Sequence, residues 1–267
     1  MGADPPRTAI VYALPDERRH FGPDYAELII VPGHTGATGS VTGASGGSSI
    51  ANLAPYAARI GVGGLNAFHN TSLLLRAGPP IGALVIVGFA GGLDRALEPG
   101  DLVVAERIAT DPQDSEYRPD PSLFALAGAT ASGVPLSCGV LLNLDHVVCR
   151  AADKRRLAET SGAIAVDMES AGAAAAAEKF GVPWIAVRAI TDGVDDDLPF
   201  DFNMGSLQAR SDPFGGVDRG AIIAGTLRQP WKIPALIRLG VRSSLAARNL
   251  GTFLQAFLAD MDGASSP

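Results

Sequence analysis

The sequence has few cysteines and no long apolar stretch. Its two cysteines, Cys138 and Cys149, are eleven residues apart and form no C-x-x-C pair, which argues against a disulfide framework or a zinc finger. This cysteine usage is typical of proteins of the reducing cytoplasm, where we expect the chain to work. No run of about 20 apolar residues is present to span a bilayer.

Two common nucleotide-binding motifs are also absent. The chain has three lysines: Lys154, Lys179 and Lys232. None of them completes G-x-x-x-x-G-K-[ST], which excludes a Walker NTPase. Gly61, Gly63 and Gly64 approach the dinucleotide fingerprint, but Asn66 stands where its last glycine is required. These glycines either bring backbone N–H groups to a polar ligand at a helix N-terminus or allow close packing.

Composition and charge are consistent with one large α/β domain. Of 267 residues, 47% are hydrophobic and 18% charged, so the chain can bury a sizeable core. The net charge of −7 argues against a general nucleic-acid binder. The charge is uneven, because residues 219–259 contain no Asp or Glu. Six cations lie in that stretch: Arg219, Arg228, Lys232, Arg238, Arg242 and Arg248.

Short runs rich in Val and Ile alternate with helical patterns, as in an α/β sheet. The predicted strands are residues 8–14, 27–31, 82–92, 100–110, 162–166 and 184–190. Helical periodicity marks residues 65–78 and 168–181, which end at Gly78 and Gly181, as helices commonly do. Residues 32–49 are polar and predict a turn-rich hairpin or loop. The run 8–14 follows two prolines and indicates a first strand, not an export signal.

Charged residues follow two of these strands. Asp167 and Glu169 come after residues 162–166, and Arg188 and Asp192 lie at the end of the next strand. Since strand carboxyl ends line the ligand crevice of open α/β sheets, these four side chains are predicted to face one site. The alternative is that the acids only complement the dipole of the helix that begins there.

The sequence AVDMES, followed after one helix by VRAITD, resembles the nucleoside phosphorylase and nucleosidase superfamily. That superfamily includes purine nucleoside phosphorylases and methylthioadenosine/S-adenosylhomocysteine nucleosidases. Three further pieces match in order: IVYALPDE, IGVGG and VGFAGGLDRALEPGDLVVA. The resemblance covers residues 8–199 and implies a three-layer αβα, phosphorylase/hydrolase-like fold with a mixed twisted central sheet. It also implies an enzyme that cleaves purine nucleosides.

Within that superfamily, VDMES, LDHVVCRAADKRRL and the tail RQPWKIPALIRLGVRSSLAARNL are similar to the hopanoid-associated phosphorylases. The implied substrate is adenosylhopane, from which adenine is released during hopanoid side-chain biosynthesis. One alternative is a nucleosidase acting on methylthioadenosine, S-adenosylhomocysteine or futalosine, and another is a non-catalytic nucleoside-binding protein. We expect a single domain over residues 1–267, with 217–261 as a basic helical extension, and a homodimer without cofactor, with phosphate as a candidate co-substrate.

The resemblance assigns roles to the charged residues. Cleavage leaves positive charge on the sugar and negative charge on the base, which carboxylates can serve at both ends. Asp192 would be the general acid at purine N7, kept protonated by burial or neighbouring carboxylates. Glu169 would accept hydrogen bonds from the ribose and stabilise the cationic sugar, with Met168 packing beneath it. Glu17 would activate an attacking water, and Arg188 would orient Asp192 or another carboxylate.

Val147 and Val148 occupy the segment whose backbone binds the purine in relatives. Val147 stands where those relatives usually carry a stacking aromatic residue. His69 and His146 are expected to be hydrogen-bonded structural residues, and since no H-E-x-x-H or other metal spacing includes them, no metal is predicted.

The phosphate-binding residues of bacterial phosphorylases are missing. Ile86 and Phe89 flank Gly88, the glycine of the sheet motif, where those enzymes carry Arg and Ser. Gly88 and Phe89 remain candidate substrate-binding positions, and Arg18 and Arg59 are candidate replacements for the lost phosphate ligands. The losses favour water as nucleophile, whereas the subfamily resemblance favours phosphate.

The tail combines apolar and basic residues. Residues 228–242 mix Trp231 and aliphatic side chains with cations and contain no acid, a composition typical of membrane-interface segments. We therefore expect this segment beside the pocket mouth and in peripheral contact with an anionic inner-membrane surface. The alternative is packing on the domain or on a partner subunit. The helical spacing of apolar residues in 250–261 predicts packing on the core.

Overall fold

A computed structural model of the chain describes residues 6–21, 25–32, 39–43, 54–111, 115–203, 214–215 and 219–264. Within these residues the strands are β1 (Arg7–Tyr12), β2 (Ala26–Pro32), β3 (Gly39–Gly43), β4 (Tyr56–Arg59), β5 (Ile81–Gly92), β6 (Leu102–Thr110), β7 (Glu116–Tyr117), β8 (Leu136–Asn143), β9 (Ala165–Asp167) and β10 (Trp184–Asp192). The α-helices are α1 (Gly64–Ala77), α2 (Pro121–Ala129), α3 (Ala151–Ser161), α4 (Ser170–Phe180), α5 (Arg219–Arg228) and α6 (Ile233–Ala264).

The described strands form one mixed sheet, as predicted. Its open part runs β3-β2-β4-β1-β5, with parallel pairs except for the β2/β3 hairpin. Beyond it, β5 pairs with both β10 and β9, and β6 and β8 complete a closed ring of five strands. The strand β5 therefore belongs to both parts, and its carboxyl end is surrounded by the ends of β1, β9 and β10.

Helices cover both faces of the sheet and make three layers, which confirms the predicted architecture. Helices α1 and α4 pack on one face in a core rich in alanine, and α2 and the second half of α6 pack on the other. Close approach of α1 and α4 depends on glycine, because a Cβ on Gly172 would collide with the backbone of Gly64. The glycine that this packing requires is Gly172 of α4, since a Cβ on Gly64 would make only ordinary contacts.

The predicted strands and helices are found within a few residues of their expected bounds, while β4, β8, α2 and α3 were not predicted. Gly181 ends α4 in the left-handed conformation, with φ +66°. Gly78 also ends α1, but its backbone is extended, with φ −82° and ψ −175°. The polar stretch 32–49 contributes β3 to a hairpin with β2, and residues 33–38 and 44–49 lie outside the described chain.

Helix α6 has two halves of different character. Its second half buries Leu250, Phe253, Leu254 and Phe257, which confirms the predicted packing on the core. Its first half exposes residues spaced four apart. This apolar stripe consists of Ile233, Ile237, Val241 and Leu245. Among the described residues, no helix combines the length and apolar character needed to cross a membrane.

Candidate active site

Glu17 lies in the turn after β1. Its carboxylate is buried and accepts three hydrogen bonds from backbone N–H groups. Its Oε2 accepts from the backbone N–H groups of Ala13 at 2.8 Å and Leu14 at 2.9 Å. Its Oε1 accepts from the N–H of Phe89 on β5 at 3.0 Å. The carboxylate therefore joins the ends of β1 and β5, and it is only 2% exposed.

Asp167 is fixed in place at the end of β9. It accepts from Asn143 at 2.8 Å and from the backbone N–H of Ser170 at 2.8 Å, at the start of α4. The Nη2 atom of Arg188 lies 2.6 Å from its Oδ2. With its oxygens used in this way, Asp167 fits the helix-terminus interpretation and serves as an anchor for Arg188.

Glu169, by contrast, turns away from the helix that it precedes. Its Oε1 accepts from the N–H of Gly63 at 2.9 Å, and its Oε2 lies 3.9 Å from Nη1 of Arg188. Gly63 has φ +87°, a conformation that favours glycine, so this residue aims its N–H at the carboxylate. We call Glu17, Asp167, Glu169 and Arg188 the Arg188 cluster.

Gly88 is needed to assemble the Arg188 cluster. A Cβ at this position would collide with the guanidinium of Arg188 and would lie 2.9 Å from Oε1 of Glu17. The glycine of the sheet motif, expected to bind substrate, is in contact with these two side chains. It leaves space for them above β5.

The Arg188 cluster carries three carboxylates and one guanidinium. Burial raises the pKa of Glu169 to about 7; the Arg188 guanidinium opposes this increase, and the Asp167 and Glu17 carboxylates add to it. Burial likewise raises the pKa of Glu17, again opposed by Arg188. Because one cation faces three acids, the cluster has an excess of negative charge when all of them are ionised.

Asp192, at the end of β10, has a different partner. Its Oδ2 accepts a close hydrogen bond from the ammonium of Lys154, and its Oδ1 accepts from the hydroxyl of Thr191 at 2.6 Å. Asp192 is buried, which is one of the two environments expected for it, and helix α3 places a buried lysine beside it. Arg188 contacts Asp167 and Glu169 among the carboxylates, in line with the alternative that it orients a carboxylate other than Asp192.

The two groups are connected through β5. Phe89 donates to Glu17, and Gly91, two positions further along the strand, pairs with Asp192. Two residues of a strand span about 7 Å. Parallel pairing of β5 and β10 thus brings the Arg188 cluster and the Asp192–Lys154 pair to the same end of the sheet.

A cavity of about 1190 Å³ opens next to Asp192. Val147 and Val148 line it, as do residues 198–200 and, from the start of α6, Ala235, Arg238, Leu239 and Arg242. Among the described residues, Glu17, Glu169, Met168 and Phe89 are not part of this lining. The segment expected beside the pocket mouth is therefore adjacent to the cavity.

In the segment expected to bind the purine, the backbone of Val147 is hydrogen-bonded to the side chain of Asn203. The N–H of Val147 donates to Oδ1 of Asn203 at 2.8 Å, and Nδ2 of Asn203 donates to the carbonyl of Val147 at 2.9 Å. Val148 is buried and packs with Leu144 and Val166. Asn203 thus occupies both the backbone donor and the backbone acceptor of Val147.

Arg18 and Arg59, the candidate replacements for the lost phosphate ligands, have partners within the protein. Ile86, at the motif position where bacterial phosphorylases carry a phosphate ligand, is fully buried and apolar. Arg18 pairs with Glu27 and donates to the hydroxyl of Tyr25, while Arg59 donates to the carbonyl of Ala13 at 3.0 Å. Among the described residues there is no cluster of three His, Cys, Asp or Glu side chains suited to a metal ion.

Comparison with known proteins gives the family. Residues 7–217 match the family model described as the phosphorylase superfamily. The chain belongs to the phosphorylase superfamily. As a member it is an enzyme that cleaves nucleosides, and the helical segment after residue 217 lies outside the matched region.

Individual relatives of this superfamily member are distant. A 5′-methylthioadenosine/S-adenosylhomocysteine nucleosidase of Halalkalibacterium halodurans is 28% identical over 161 residues, 53% of this chain and 69% of that protein. An aminodeoxyfutalosine nucleosidase of Campylobacter jejuni is 28% identical over 138 residues, 45% of this chain and 60% of that protein. The structure of a futalosine hydrolase of Helicobacter pylori superposes with a TM-score of 0.66 at 20% identity, covering 95% of this chain and 97% of that one, which shows the shared fold.

Two residues of the site in this superfamily member, Lys154 and Asn203, were not predicted from the sequence. Lys154 lies in the run AADKRRL, where charged neighbours suggest a solvated helix, so its burial was not predicted. Asn203 lies in an irregular segment without periodicity. A lysine three positions after the start of a helix, in a chain with only three lysines, is the one feature that distinguishes Lys154 in the sequence.

Proposed function

We propose that this enzyme cleaves the N-glycosidic bond of a purine nucleoside and releases adenine, with adenosylhopane as substrate. The Arg188 cluster supplies negative charge for a sugar that becomes cationic as the bond breaks. Asp192 supplies the proton to N7 of the departing base. The side-by-side ends of β5 and β10 support this division of roles between the two carboxylate groups.

The observation that carries the substrate assignment is the cavity beside Asp192. Its volume of about 1190 Å³ exceeds the roughly 300–1,000 Å³ that small-molecule sites usually have. It extends to the first half of α6, whose opposite side bears the exposed apolar stripe. The volume leaves room beside Asp192 for a nucleoside with a large 5′ substituent, and the resemblance to hopanoid-associated phosphorylases supplies the hydrocarbon.

For the nucleophile, the site favours water. The side chains of Ile86 and Phe89 cannot bind phosphate, and the N–H of Phe89 is already used by Glu17. Glu17 has a raised pKa because of burial, which makes its carboxylate a stronger base toward a water molecule. The alternative is that phosphate is the nucleophile, and analysis of the sugar product distinguishes the two.

We also propose that the first half of α6 touches an anionic inner-membrane surface. Trp231 is 71% exposed, and Ile237 and Val241 of the stripe are 62% and 65% exposed. Arg238 is exposed beside them. Each cation near an anionic leaflet contributes about 1 kcal/mol. If two copies of this acid-free surface faced each other, their like charges would oppose the contact, so we place the interface of the expected homodimer elsewhere.

The substrate experiment compares adenosylhopane with methylthioadenosine, each with and without phosphate. We expect adenine from adenosylhopane at a higher kcat/KM, without a requirement for phosphate. Equal or better cleavage of methylthioadenosine would favour the soluble-nucleoside alternative. A ribose 1-phosphate product formed only with phosphate would contradict water as the nucleophile.

The membrane contact is tested by sedimentation with vesicles of phosphatidylglycerol and of phosphatidylcholine. We expect salt-sensitive binding to the anionic vesicles, and loss of binding in Ile237→Glu and Arg238→Glu variants. Ile29→Glu is the matched control, since Ile29 is 50% exposed and lies on β2. Arg242 is not suitable for charge reversal, because it pairs with Asp196 at 2.8 Å. Equal binding by all variants, or a change of oligomeric state on Ile237→Glu without vesicle binding, would overturn the proposal.

A further inference from the structure

Lys154 is a fully buried lysine on α3 whose ammonium is satisfied within the protein. It donates to Oδ2 of Asp192, to the carbonyl of Gly193 at 3.0 Å and to the carbonyl of Asp196 at 3.0 Å. A lysine ammonium has three donor hydrogens, and each of these contacts uses one. Lys154 is absent from the cavity lining, so it has no direct access to a substrate there.

Packing alone does not explain this residue. Transfer of an ammonium from water into a protein interior is costly unless it is paired and hydrogen-bonded, whereas methionine or leucine would fill the same space without that cost. Gly91 leaves room for the pair: a Cβ there would lie 3.3 Å from Oδ2 of Asp192 and 3.9 Å from Cε of Lys154. The residues of β5, α3 and β10 thus leave room for the contact between Lys154 and Asp192.

We propose that Lys154 is a positioning residue that holds Asp192 and stabilises the carboxylate left after proton transfer. The step breaks the Asp192 O–H bond and forms N7–H, while the electron pair of the C1′–N9 bond passes to the purine. Asp192 is then an anion facing the ammonium of Lys154, and it regains a proton from solvent in the next turnover. This inference rests on the proposed role of Asp192 as the acid.

Several charged groups lie around the pair, and most of them have partners of their own. Asp196 follows on the same loop; its carboxylate accepts from Arg242 of α6 and from the N–H of Gly193. Cys149 precedes α3, and burial raises the pKa of its thiol, with the Asp192 carboxylate among the smaller contributions. Of the described cations, Lys154 is the one hydrogen-bonded to Asp192. Its removal should therefore affect mainly the position and the charge stabilisation of Asp192.

The test is a pair of substitutions at Lys154, assayed for adenine with adenosylhopane and methylthioadenosine. Lys154→Met should lower kcat about 10²-fold, as loss of one preorganised donor does, with KM changed little. Lys154→Arg, which keeps a charge and donor hydrogens, should recover most of the lost kcat. If the methionine variant does not fold, Lys154→Gln replaces it with the same expectation.

A combined variant separates this inference from the proposal on which it rests. In an Asp192→Asn background, Lys154→Met should cause no further loss of kcat. Lys179→Met, at an exposed lysine on α4, should leave kcat unchanged. An Asp192→Asn enzyme with wild-type kcat would overturn both roles. An inactive Asp192→Asn enzyme together with a folded Lys154→Met enzyme of wild-type kcat, or multiplicative losses in the combined variant, would overturn the role of Lys154 alone.

Discussion

The two carboxylate groups at the end of the sheet differ in charge balance. In the Arg188 cluster one guanidinium faces three carboxylates, whereas at Asp192 one ammonium faces one carboxylate. Burial raises the pKa values of Glu17 and Glu169, and at Glu169 the neighbouring carboxylates of Asp167 and Glu17 add to the increase. The excess of acid in the first group suits stabilisation of a cation. The balanced pair suits transfer of a proton, since it accommodates the anion that results. Carboxylates at the same end of the sheet thus differ in electrostatic environment, because β10 brings Arg188 to one group and α3 brings Lys154 to the other.

The largest expected effect comes from Asp192→Asn. The amide cannot protonate the departing base, so kcat should fall about 10²- to 10⁴-fold while the fold is retained. Asp195→Asn, in the same acidic run but exposed and paired with Arg155, is the matched control and should stay near wild type. Adenine release is the measurement, and equal losses in both variants would remove the distinction between the two groups.

Next in size is Glu17→Gln. If water attacks, kcat should fall about 10²-fold or more at every phosphate concentration, because the general base is lost. Phosphate-dependent activity that survives in this variant would contradict that mechanism, since a phosphate dianion needs no deprotonation. Turnover across a phosphate series, with product identification, provides the comparison.

The pH dependence of kcat/KM tests whether the ionised carboxylate of Glu169 is needed. With a pKa of about 7, it loses its charge as the solution is acidified, so kcat/KM should decline below about pH 7. A profile that stays flat to pH 5 would mean that ionised Glu169 is not required.

The same shift predicts a stability effect. A carboxyl group whose pKa rises from 4.5 to about 7 on folding binds its proton more tightly in the folded state, so its contribution to the free energy of unfolding declines as pH rises through that interval. Glu169→Gln should therefore be stabilised at pH 8 by at most about 3 kcal/mol, and not at pH 4. Denaturant unfolding of both proteins at the two pH values measures this, and a gain at pH 4 of equal size would point to another cause.

The smallest expected effect concerns Gly88. Gly88→Ala should cost about 1–3 kcal/mol, as overpacking typically does, because the new methyl group meets Arg188 and Glu17. Gly128→Ala is the control, since nothing lies near a Cβ at that helical position and alanine is the better helix former. Thermal unfolding of both variants should show opposite signs.

Much of the fold follows from the sequence because buried strands have a recognisable composition. Residues 82–92 and 184–190 were assigned from their Val and Ile content, and they became β5 and β10. The strand β8, LSCGVLLN, lacks such a run and was missed, and the closed ring depends on pairings between distant segments that no local pattern encodes.

From the residues alone, the site was predictable where charge and strand ends coincide, and the family resemblance added Glu17. Asp167, Glu169, Arg188 and Asp192 were grouped because they follow two strands. Their partners were not predictable in the same way, because contacts of Arg188 with Asp167 and of Lys154 with Asp192 depend on the relative rotation of helices and strands. Burial of a lysine is a tertiary property, and the local sequence around Lys154 favours exposure.

The pairing of Asn203 with Val147 has a consequence for ligand affinity. A carboxamide offers one acceptor and one donor side by side, which is also the pattern of adenine at N1 and its 6-amino group. A base that takes this backbone position must first displace Asn203, so two hydrogen bonds are exchanged for two of the same kind. Binding at that edge is then nearly neutral in energy and selects among bases by pattern. The affinity for the nucleoside has to come from the sugar and from whatever extends into the cavity toward α6.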